Sequence, residues 1–357
     1  MSRQTVRRFL LLTPGAGGAD GISTLTRQYI RSFAALAAEA SAECEVWSLD
    51  DAAPPAGTPA AVRMRCAARS RLRFACFGLT ARGIDAGTVV VVLHAQLLPV
   101  TLPLVARGAR LVPVLVGVEV WGPLSRLVRV ALRRAWRVLS ISRATRDRFA
   151  AAHPAFAGLG VAVCEPAVPE TVPPEPGVVD FPRPYALIVG RMAADERYKG
   201  HDALLDVWPR VRDAVPGATL VVAGTGNDAA RLRGRAGEGV VFAGPLPAAR
   251  LAAAYAGAAF FAMPSTGEGF GLVFLEAMRA GRPCLAAPGA AEEILQDGVS
   301  GVIVDPADRQ RLLAGLVRLF TDETWREGLA AAARRTIDER FRPEQLTARL
   351  RAALGAV

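Results

Sequence analysis

A glycine-rich segment with two glutamates holds the residues whose types and spacing best suit chemistry. It runs from 264 to 278 as PSTGEGFGLVFLEAM, with Glu268 in a predicted turn and Glu276 eight residues later. An apolar run before it predicts a strand, and the pattern after Gly271 predicts a helix. Glycines let a ligand approach the backbone, and the unpaired N–H groups of a helix start bind anions. The first carboxylate suits sugar hydroxyls and the second a ribose diol; a helix cap with a solvated glutamate is the alternative.

The single lysine of the chain is the second candidate. Arginine supplies all but one of the 43 basic side chains, and Lys199 is the exception. It follows a glycine and the apolar run Tyr185–Val189, which predicts a strand, and open α/β sheets bind ligands where such strands end. Lysine presents a compact charge that suits a phosphate, whereas arginine presents a planar fork. Chance is the alternative explanation, because a lone lysine has to occur somewhere.

Three other features allow both a functional and a structural interpretation. The glycine-containing loop 15–20 follows a predicted strand and Asp50 follows the next one, but its Gly-x-Gly-Gly spacing departs from the dinucleotide motif and disfavours a nicotinamide site. The run 224–226 is more typical of a turn, and Asp50-Asp51 is more typical of a strand end than of a metal pair. His94, at the end of a buried strand, is either a core residue or an active-site residue.

The positive charge is concentrated in the first half of the chain. The net charge is +10, and residues 1–169 contain 21 arginines against 10 acidic residues. Such an excess favours an anionic partner, such as a membrane surface, a nucleic acid or an acidic acceptor, although solubility alone is the alternative. The aromatic platforms of single-strand binders are missing, so we expect no nucleic acid partner.

Composition disfavours several other classes of protein. The longest apolar stretch, 88–106, is interrupted by a histidine, a glutamine and two prolines, so it predicts a strand and a short helix rather than a membrane span. The run Phe9–Leu12 is too short for a signal peptide. Five cysteines without metal-like spacing fit a reducing cytoplasm, and three distant histidines disfavour a metal site. We expect a cytoplasmic protein, with peripheral attachment to the inner membrane face as an option.

Apolar strand-like runs alternate with helical patterns, which predicts an α/β fold of two doubly wound parallel sheets. Residues 170–184 contain five prolines and predict an extended linker between two similar domains that face each other across a cleft. The predicted strands are 7–13, 44–50, 88–95, 110–116, 137–142 and 161–167, then 185–191, 219–224, 240–244, 259–265, 284–288 and 301–305.

The motifs of the second half, taken in order, resemble the retaining glycosyltransferases of family 4. The matching residues are Gly190-Arg191, the run 197–202 (RYKGHD), Glu268 and Glu276 in a Glu-x7-Glu spacing, Gly289, Glu293-Ile294, Asp297-Gly298 and Gly301. A weaker likeness extends to the first half through Gly17-Gly18, 118–121 and 142–145. The resemblance implies the GT-B architecture of two Rossmann-like domains. These would be an acceptor-side domain at 1–169 and a nucleotide-sugar-binding domain at 185–341, with a C-terminal helix, 342–357, packed back on the first domain.

The resemblance implies transfer of a sugar from a UDP- or GDP-sugar to a glycan or lipid-linked acceptor, with retention and without a metal or other cofactor. Arg191, Lys199 and Glu268 would be catalytic: the cations hold the diphosphate and neutralise its developing charge, and the glutamate contacts the sugar. Glu276 would bind the ribose. The other implied donor-binding residues are Gly17 and Gly18 against the phosphates, Leu246 near the base, and Gly269, Phe270, Gly271, Leu272 and Val273.

One position departs from the family pattern. Val116 stands where these enzymes often have a histidine, so the sugar-binding or proton-handling role of that histidine has no counterpart here. His94 and Glu119 are the candidates for lining the same cleft. The departure keeps a second hypothesis open, a non-catalytic subunit of this fold that binds a nucleotide sugar or another transferase, although the intact motifs of the second half oppose it.

A basic helix is predicted at 125–138. At about 100° per residue, Arg126, Arg129, Arg133 and Arg137 would share one face, opposite an apolar face. A second basic cluster consists of the five arginines between 63 and 73. We expect these surfaces to dock on anionic lipid and bring the cleft near a lipid-linked acceptor; the alternative is an ordinary helix whose arginines face water.

Overall fold

The computed structural model describes residues 5–170, 172–173 and 180–355. The predicted linker 170–184 therefore lies partly outside the described residues, as do the last two residues of the predicted C-terminal helix. The chain divides into two compact units, residues 1–167 with 341–357 and residues 168–340.

Thirteen strands form in the described part of the chain. They are β1 Arg8–Thr13, β2 Glu43–Ser48, β3 Val62–Cys66, β4 Thr88–Val92, β5 Arg110–Leu115, β6 Val138–Ser140, β7 Val161–Val163, β8 Tyr185–Val189, β9 Thr219–Ala223, β10 Val240–Gly244, β11 Phe260–Met263, β12 Cys284–Ala286 and β13 Gly301–Ile303.

The same residues form twelve α-helices, besides short 3₁₀ turns. They are α1 Gly21–Glu39, α2 Arg71–Thr80, α3 Leu102–Ala106, α4 Arg126–Leu132, α5 Arg143–Ala152, α6 His201–Ala214, α7 Ala229–Arg235, α8 Ala248–Gly257, α9 Leu272–Arg279, α10 Arg309–Thr321, α11 Glu323–Arg340 and α12 Pro343–Leu354.

Both units are doubly wound parallel sheets, as the alternation of strand and helix patterns predicts. The first sheet has the order β3-β2-β1-β4-β5-β6-β7, and the second has the order β10-β9-β8-β11-β12-β13. In each sheet, the second and third strands lie on one side of the first strand, and all later strands lie on its other side. The point of reversal lies between β1 and β4 in unit 1 and between β8 and β11 in unit 2, and ligands of such sheets bind outside the carboxyl ends of these strands.

Strand β3 is absent from the sequence-based expectation. Its arginines, Arg63 and Arg65, break the apolar pattern that a buried strand would show. An edge strand tolerates them because one side of it meets water. Arg63 pairs with Glu43 on β2 at 2.6 Å, and Arg65 lies 4.0 Å from the ring centre of Phe77 on α2.

The predicted helix 125–138 is wrong in its extent, because α4 ends at Leu132. The chain must then turn to reach β6, which begins at Val138. The backbone N–H of Trp136 already donates to the carbonyl of Leu111 on β5, at 2.8 Å. Arg137 therefore lies outside the helix and does not share a helical face with the arginines of α4.

Helix α12 packs on α1 and completes unit 1. Its residues Leu346, Leu350 and Leu354 are buried, and Arg351 pairs with Glu39 at 2.7 Å. Thr347 Oγ1 also lies 3.0 Å from Ser32 Oγ on α1. The last helix of the chain thus supplies part of the core of the first unit.

Leu350→Ala should lower the free energy of unfolding of unit 1 by about 2–5 kcal/mol, because it leaves a cavity at a fully buried position. Leu79→Ala, at a leucine that is 68% exposed, is the matched control and should change the stability by about 0.5 kcal/mol or less. Urea unfolding followed by circular dichroism measures both changes. Equal stabilities of the two variants would show that α12 does not contribute to the core.

Candidate functional site

The candidate site lies where the strand order of the second sheet reverses. Two loops leave the carboxyl ends of β8 and β11 there, residues 190–200 and residues 264–271. The predicted catalytic residues all lie on these loops, which are about seventy residues apart in sequence. The topology of the sheet is what makes them neighbours.

The two loops are joined tightly. Gly200 has a φ of +86°, and a Cβ at this position would lie 2.7 Å from the carbonyl oxygen of Pro264. Gly267 faces Tyr198 in the same way, because its Cβ would lie 2.5 Å from the tyrosine ring. The backbone N–H of Thr266 donates to the carbonyl of Tyr198 at 3.0 Å. Any side chain at the two glycines would push the loops apart.

An ion pair joins the loops at the centre of the site. Lys199 Nζ lies 3.0 Å from Glu268 Oε1, and Ser265 Oγ donates to the same oxygen at 2.9 Å. The two charged side chains are only 15% and 16% exposed, so water screens their attraction less than it would at the surface. The structure thus brings the lone lysine and the loop glutamate, two predicted catalytic residues, into direct contact.

The third predicted catalytic residue, Arg191, is connected to Lys199 by the carboxylate of Glu196. The sequence interpretation missed this glutamate. Arg191 pairs with Glu196, and the other oxygen of Glu196 lies 4.0 Å from Lys199 Nζ. Arg191 is 70% exposed, whereas Glu196 is nearly buried. Its position between the arginine and the lysine in sequence is a signal that could have identified it.

Helix α9 begins directly after the loop 264–271. Gly271 has a φ of +101° and carries no side chain that could cap the helix. A Cβ there would lie 2.5 Å from the ring of Phe274. The first N–H groups of the helix belong to Leu272 and Val273, and such groups have no partner within the helix. An anion can accept hydrogen bonds from them.

Glu276 lies one turn further along α9, in an environment that disfavours its charge. Burial raises the pKa of its carboxyl to about 7, while the hydrogen bond from Tyr255 OH lowers it. The tyrosine OH donates to Glu276 Oε2 at 2.9 Å from helix α8. Leu246, predicted near the base, is half-buried between β10 and α8. Tyr255 was missed by the sequence interpretation because nothing in the spacing relates it to the glutamate.

The candidate residues of unit 1 form a separate set at the reversal point of the first sheet. The N–H groups of Ala16 and Gly17 donate to the Asp51 carboxylate at 2.8 and 3.0 Å. Asp51 therefore holds the glycine loop by accepting two backbone hydrogen bonds, and it is not merely the end of a strand. A Cβ at Gly18 would lie 2.6 Å from Ser23 Oγ, so this glycine is needed for packing against α1.

His94 and Glu119 follow the neighbouring strands β4 and β5, and each makes a local hydrogen bond. His94 Nδ1 accepts from the N–H of Gln96 at 3.3 Å. Glu119 Oε1 accepts from the N–H of Val116 at 2.9 Å, so the position that lacks the family histidine is bound by a carboxylate. Both side chains are half-buried, and their roles in lining a cleft stay predictions.

Residues 183–322 match the family model described as "Glycosyl transferases group 1". This part of the chain is therefore similar to glycosyltransferase domains. It contains both loops, the ion pair and helix α9. The predicted resemblance to nucleotide-sugar glycosyltransferases is confirmed.

Mannosyltransferases are among the curated proteins that this chain resembles. The GDP-mannose-dependent alpha-(1-6)-phosphatidylinositol monomannoside mannosyltransferase of Mycolicibacterium smegmatis is 32% identical over 257 residues, which is 64% of this chain and 65% of that protein. The phosphatidyl-myo-inositol mannosyltransferase of Mycobacterium leprae is 35% identical over 44% of this chain and 43% of its own length. The chain thus matches less than two thirds of each of these relatives.

Solved structures of the same architecture match almost the whole chain. Sucrose-phosphate synthase from Thermosynechococcus elongatus has a TM-score of 0.76 and 18% identity, and the match covers 98% of each chain. HepE from Anabaena, solved in complex with UDP-glucose, has a TM-score of 0.73 and 20% identity over 98% of this chain and all of that one. The predicted fold of two Rossmann-like α/β domains is confirmed.

Tyr255→Phe should raise the pKa of Glu276 further, because it removes a hydrogen bond that favours the carboxylate. We expect Glu276 to accept hydrogen bonds from ribose hydroxyls in its ionised form, so the affinity for UDP or GDP should rise as the pH increases through about 7. The variant should move this midpoint to higher pH. Calorimetric titration between pH 5.5 and 8.5 measures it.

Tyr185→Phe is the matched control for this experiment. Tyr185 is also a buried tyrosine, but its OH donates to the carbonyl of Ala254 at 2.7 Å rather than to a carboxylate. It should leave the midpoint where it is in the wild type. A midpoint that is equal in all three proteins would contradict the coupling between Tyr255 and Glu276.

Proposed function

We propose that this chain is a retaining glycosyltransferase that moves a sugar from a nucleoside diphosphate sugar to a glycan or lipid-linked acceptor. The observation that carries the proposal is the cluster of Arg191, Lys199 and Glu268 beside the N-terminus of α9, at the reversal point of the sheet. Cations and a helix start provide a phosphate site, and the carboxylates provide acceptors for sugar hydroxyls.

Different residues of unit 2 bind different parts of the donor. The diphosphate binds at Leu272 and Val273 of α9, with the backbone of Gly269 to Gly271 beside it. Arg191 and Lys199 neutralise the negative charge that grows on the diphosphate as the sugar leaves, which stabilises the transition state electrostatically. Glu268 accepts from the donor sugar, Glu276 from the ribose, and Leu246 contacts the base.

GDP-mannose and a phosphatidylinositol-type acceptor are the first substrates to test. The names of the mycobacterial relatives support them, because these are GDP-mannose-dependent or phosphatidyl-myo-inositol mannosyltransferases. UDP-sugars are the second choice, supported by the UDP-glucose complex of HepE. Glycolipid synthesis at the cytoplasmic face of a membrane would then be the process that the protein serves.

Peripheral contact with an anionic membrane is part of the same proposal, and two exposed surfaces of unit 1 support it. On α4, Arg126 and Arg129 are exposed, and Arg133 and Arg137 are exposed on the segment that follows. On α2, Leu72 and Leu79 are 83% and 68% exposed. With about 100° per residue, these leucines lie in one arc with Ala75 and Cys76, flanked by Arg71 and Arg73. No helix in the described ranges is both long and apolar enough to span a membrane.

The α2 surface suits a bilayer better than a protein partner. A few apolar side chains flanked by arginines suffice for an interfacial helix, since each arginine near anionic lipid contributes about 1 kcal/mol. A standard protein interface would need about 20–30 residues on each side. Buried Phe74 and Phe77 hold the opposite face of α2 against the sheet, so the leucines remain available to solvent.

Lys199→Ala should abolish sugar transfer and leave the fold intact, and Lys199→Arg should also impair it, because a planar fork does not replace a compact charge between two carboxylates. GDP or UDP should stabilise the wild type without added divalent metal, since a ligand of the folded state raises the melting temperature. Donor hydrolysis, transfer and thermal shift measure these effects, with Arg210→Ala on the surface of α6 as the control. Near-normal activity of Lys199→Arg would contradict the requirement for a compact charge at this position.

Leu72→Ser with Leu79→Ser should weaken binding to phosphatidylglycerol-containing vesicles about tenfold, and Arg126→Glu with Arg129→Glu should weaken it mainly at low salt. Cosedimentation of the full chain with anionic and neutral vesicles measures both. Val299→Ser is the control for the leucines, because Val299 is an exposed apolar residue of unit 2. Equal binding to both kinds of vesicle, or to neither, would remove the membrane from the proposal.

A further inference from the structure

Glu196 lies between the two cations of the candidate phosphate site, and its side chain is nearly buried. Its side chain is 11% exposed, Oε1 pairs with Arg191, and Oε2 lies 4.0 Å from Lys199 Nζ. Oε2 is also a buried oxygen without a hydrogen-bond partner among the described residues. A buried acceptor without a partner is destabilising, so folding alone does not explain a glutamate at this position.

The charges of the site balance before any ligand binds. Arg191 and Lys199 contribute two positive charges, and Glu196 and Glu268 contribute two negative ones. A diphosphate that binds to the cations must therefore compete with these carboxylates. Glu268 has a second role in the proposed function as a contact of the donor sugar, whereas the ion pairs of Glu196 within the described residues are those with the two cations.

The side chain of Glu196 is not needed to build the loop. The short 3₁₀ turn at Arg197–Lys199 is closed by backbone groups, because the N–H of Lys199 donates to the carbonyl of Glu196 at 3.1 Å. Gly200 against Pro264 and Gly267 against Tyr198 hold the loop from the other side. A glutamine at 196 would keep this backbone and could still accept from Arg191.

We propose that Glu196 is an internal competitor for the phosphate-binding cations. It holds Arg191 in place before the donor binds, and its charge then repels the diphosphate that displaces it. The product diphosphate carries more negative charge than the bound nucleotide sugar, since the sugar no longer masks its terminal phosphate. Glu196 therefore weakens the binding of the product diphosphate more than the binding of the donor, and this favours product release. This role rests on the proposed function, because it requires a diphosphate at Arg191 and Lys199.

The test compares ligand affinities of Glu196→Gln, Glu196→Asp and the wild type by calorimetry. Glu196→Gln should bind inorganic pyrophosphate, GDP and UDP about tenfold more tightly than the wild type, because a nearby like charge is removed. The gain should be smaller for the corresponding nucleotide sugar and should shrink at high salt. Glu196→Asp keeps the charge and should resemble the wild type.

Glu238→Gln is the matched control for a lost negative charge in the same unit. Glu238 is 86% exposed and pairs with Arg212, away from the loops 190–200 and 264–271. It should leave every affinity unchanged. Loss of a merely structural side chain would weaken all ligands, so the direction of the change separates the two explanations.

Affinities in Glu196→Gln that are equal to or weaker than those of the wild type would overturn the role of Glu196. Failure of pyrophosphate to bind to either protein would overturn it as well. If pyrophosphate binds more tightly to Glu196→Gln but no nucleotide or nucleotide sugar binds to any protein, the competitor role stands and the proposed donor class fails.

Discussion

The ion pair between Lys199 and Glu268 is the contact on which the candidate site depends. It joins loops that follow β8 and β11, the two strands between which the sheet order reverses. Both partners are shielded from water, so their attraction is stronger than that of a surface pair, and removal of one would leave the other poorly solvated. The glycines at 200 and 267 make this contact possible, since a side chain at either would separate the loops.

The charged side chains around this pair also form pairs of opposite charge, and they differ in how far they are exposed to water. Arg191 is largely exposed, Lys199 is nearly buried, and Glu196 lies between them. An incoming anion therefore meets the exposed arginine first and the nearly buried lysine last. Glu276 is set apart from these charges on α9, where burial and Tyr255 act on its pKa in opposite directions. The phosphate and ribose parts of a nucleotide would thus meet environments of different polarity.

The sequence by itself determined the fold class and the main components of the site. Continuous apolar runs such as Tyr185–Val189 and Phe260–Met263 can only be buried when both faces of a sheet are covered, which requires helices on each side. The lone lysine, the Glu-x7-Glu spacing and the glycines before α9 were recognisable because their residue types and intervals are unusual. These local signals do not depend on which distant segment they meet.

Tertiary structure decided what those residues touch and where the regular pattern stops. Glu196 between two cations, Tyr255 on Glu276 and Asp51 on the N–H of Gly17 are contacts across loops and helices, and no interval in the sequence encodes them. Strand β3 pairs at an edge despite its arginines, because water solvates one side. Helix α4 ends at Leu132, although its residue pattern continues, because the chain has to reach β5 and begin β6. Partners that are distant in sequence set these features, since pairing and burial are properties of the assembled sheet.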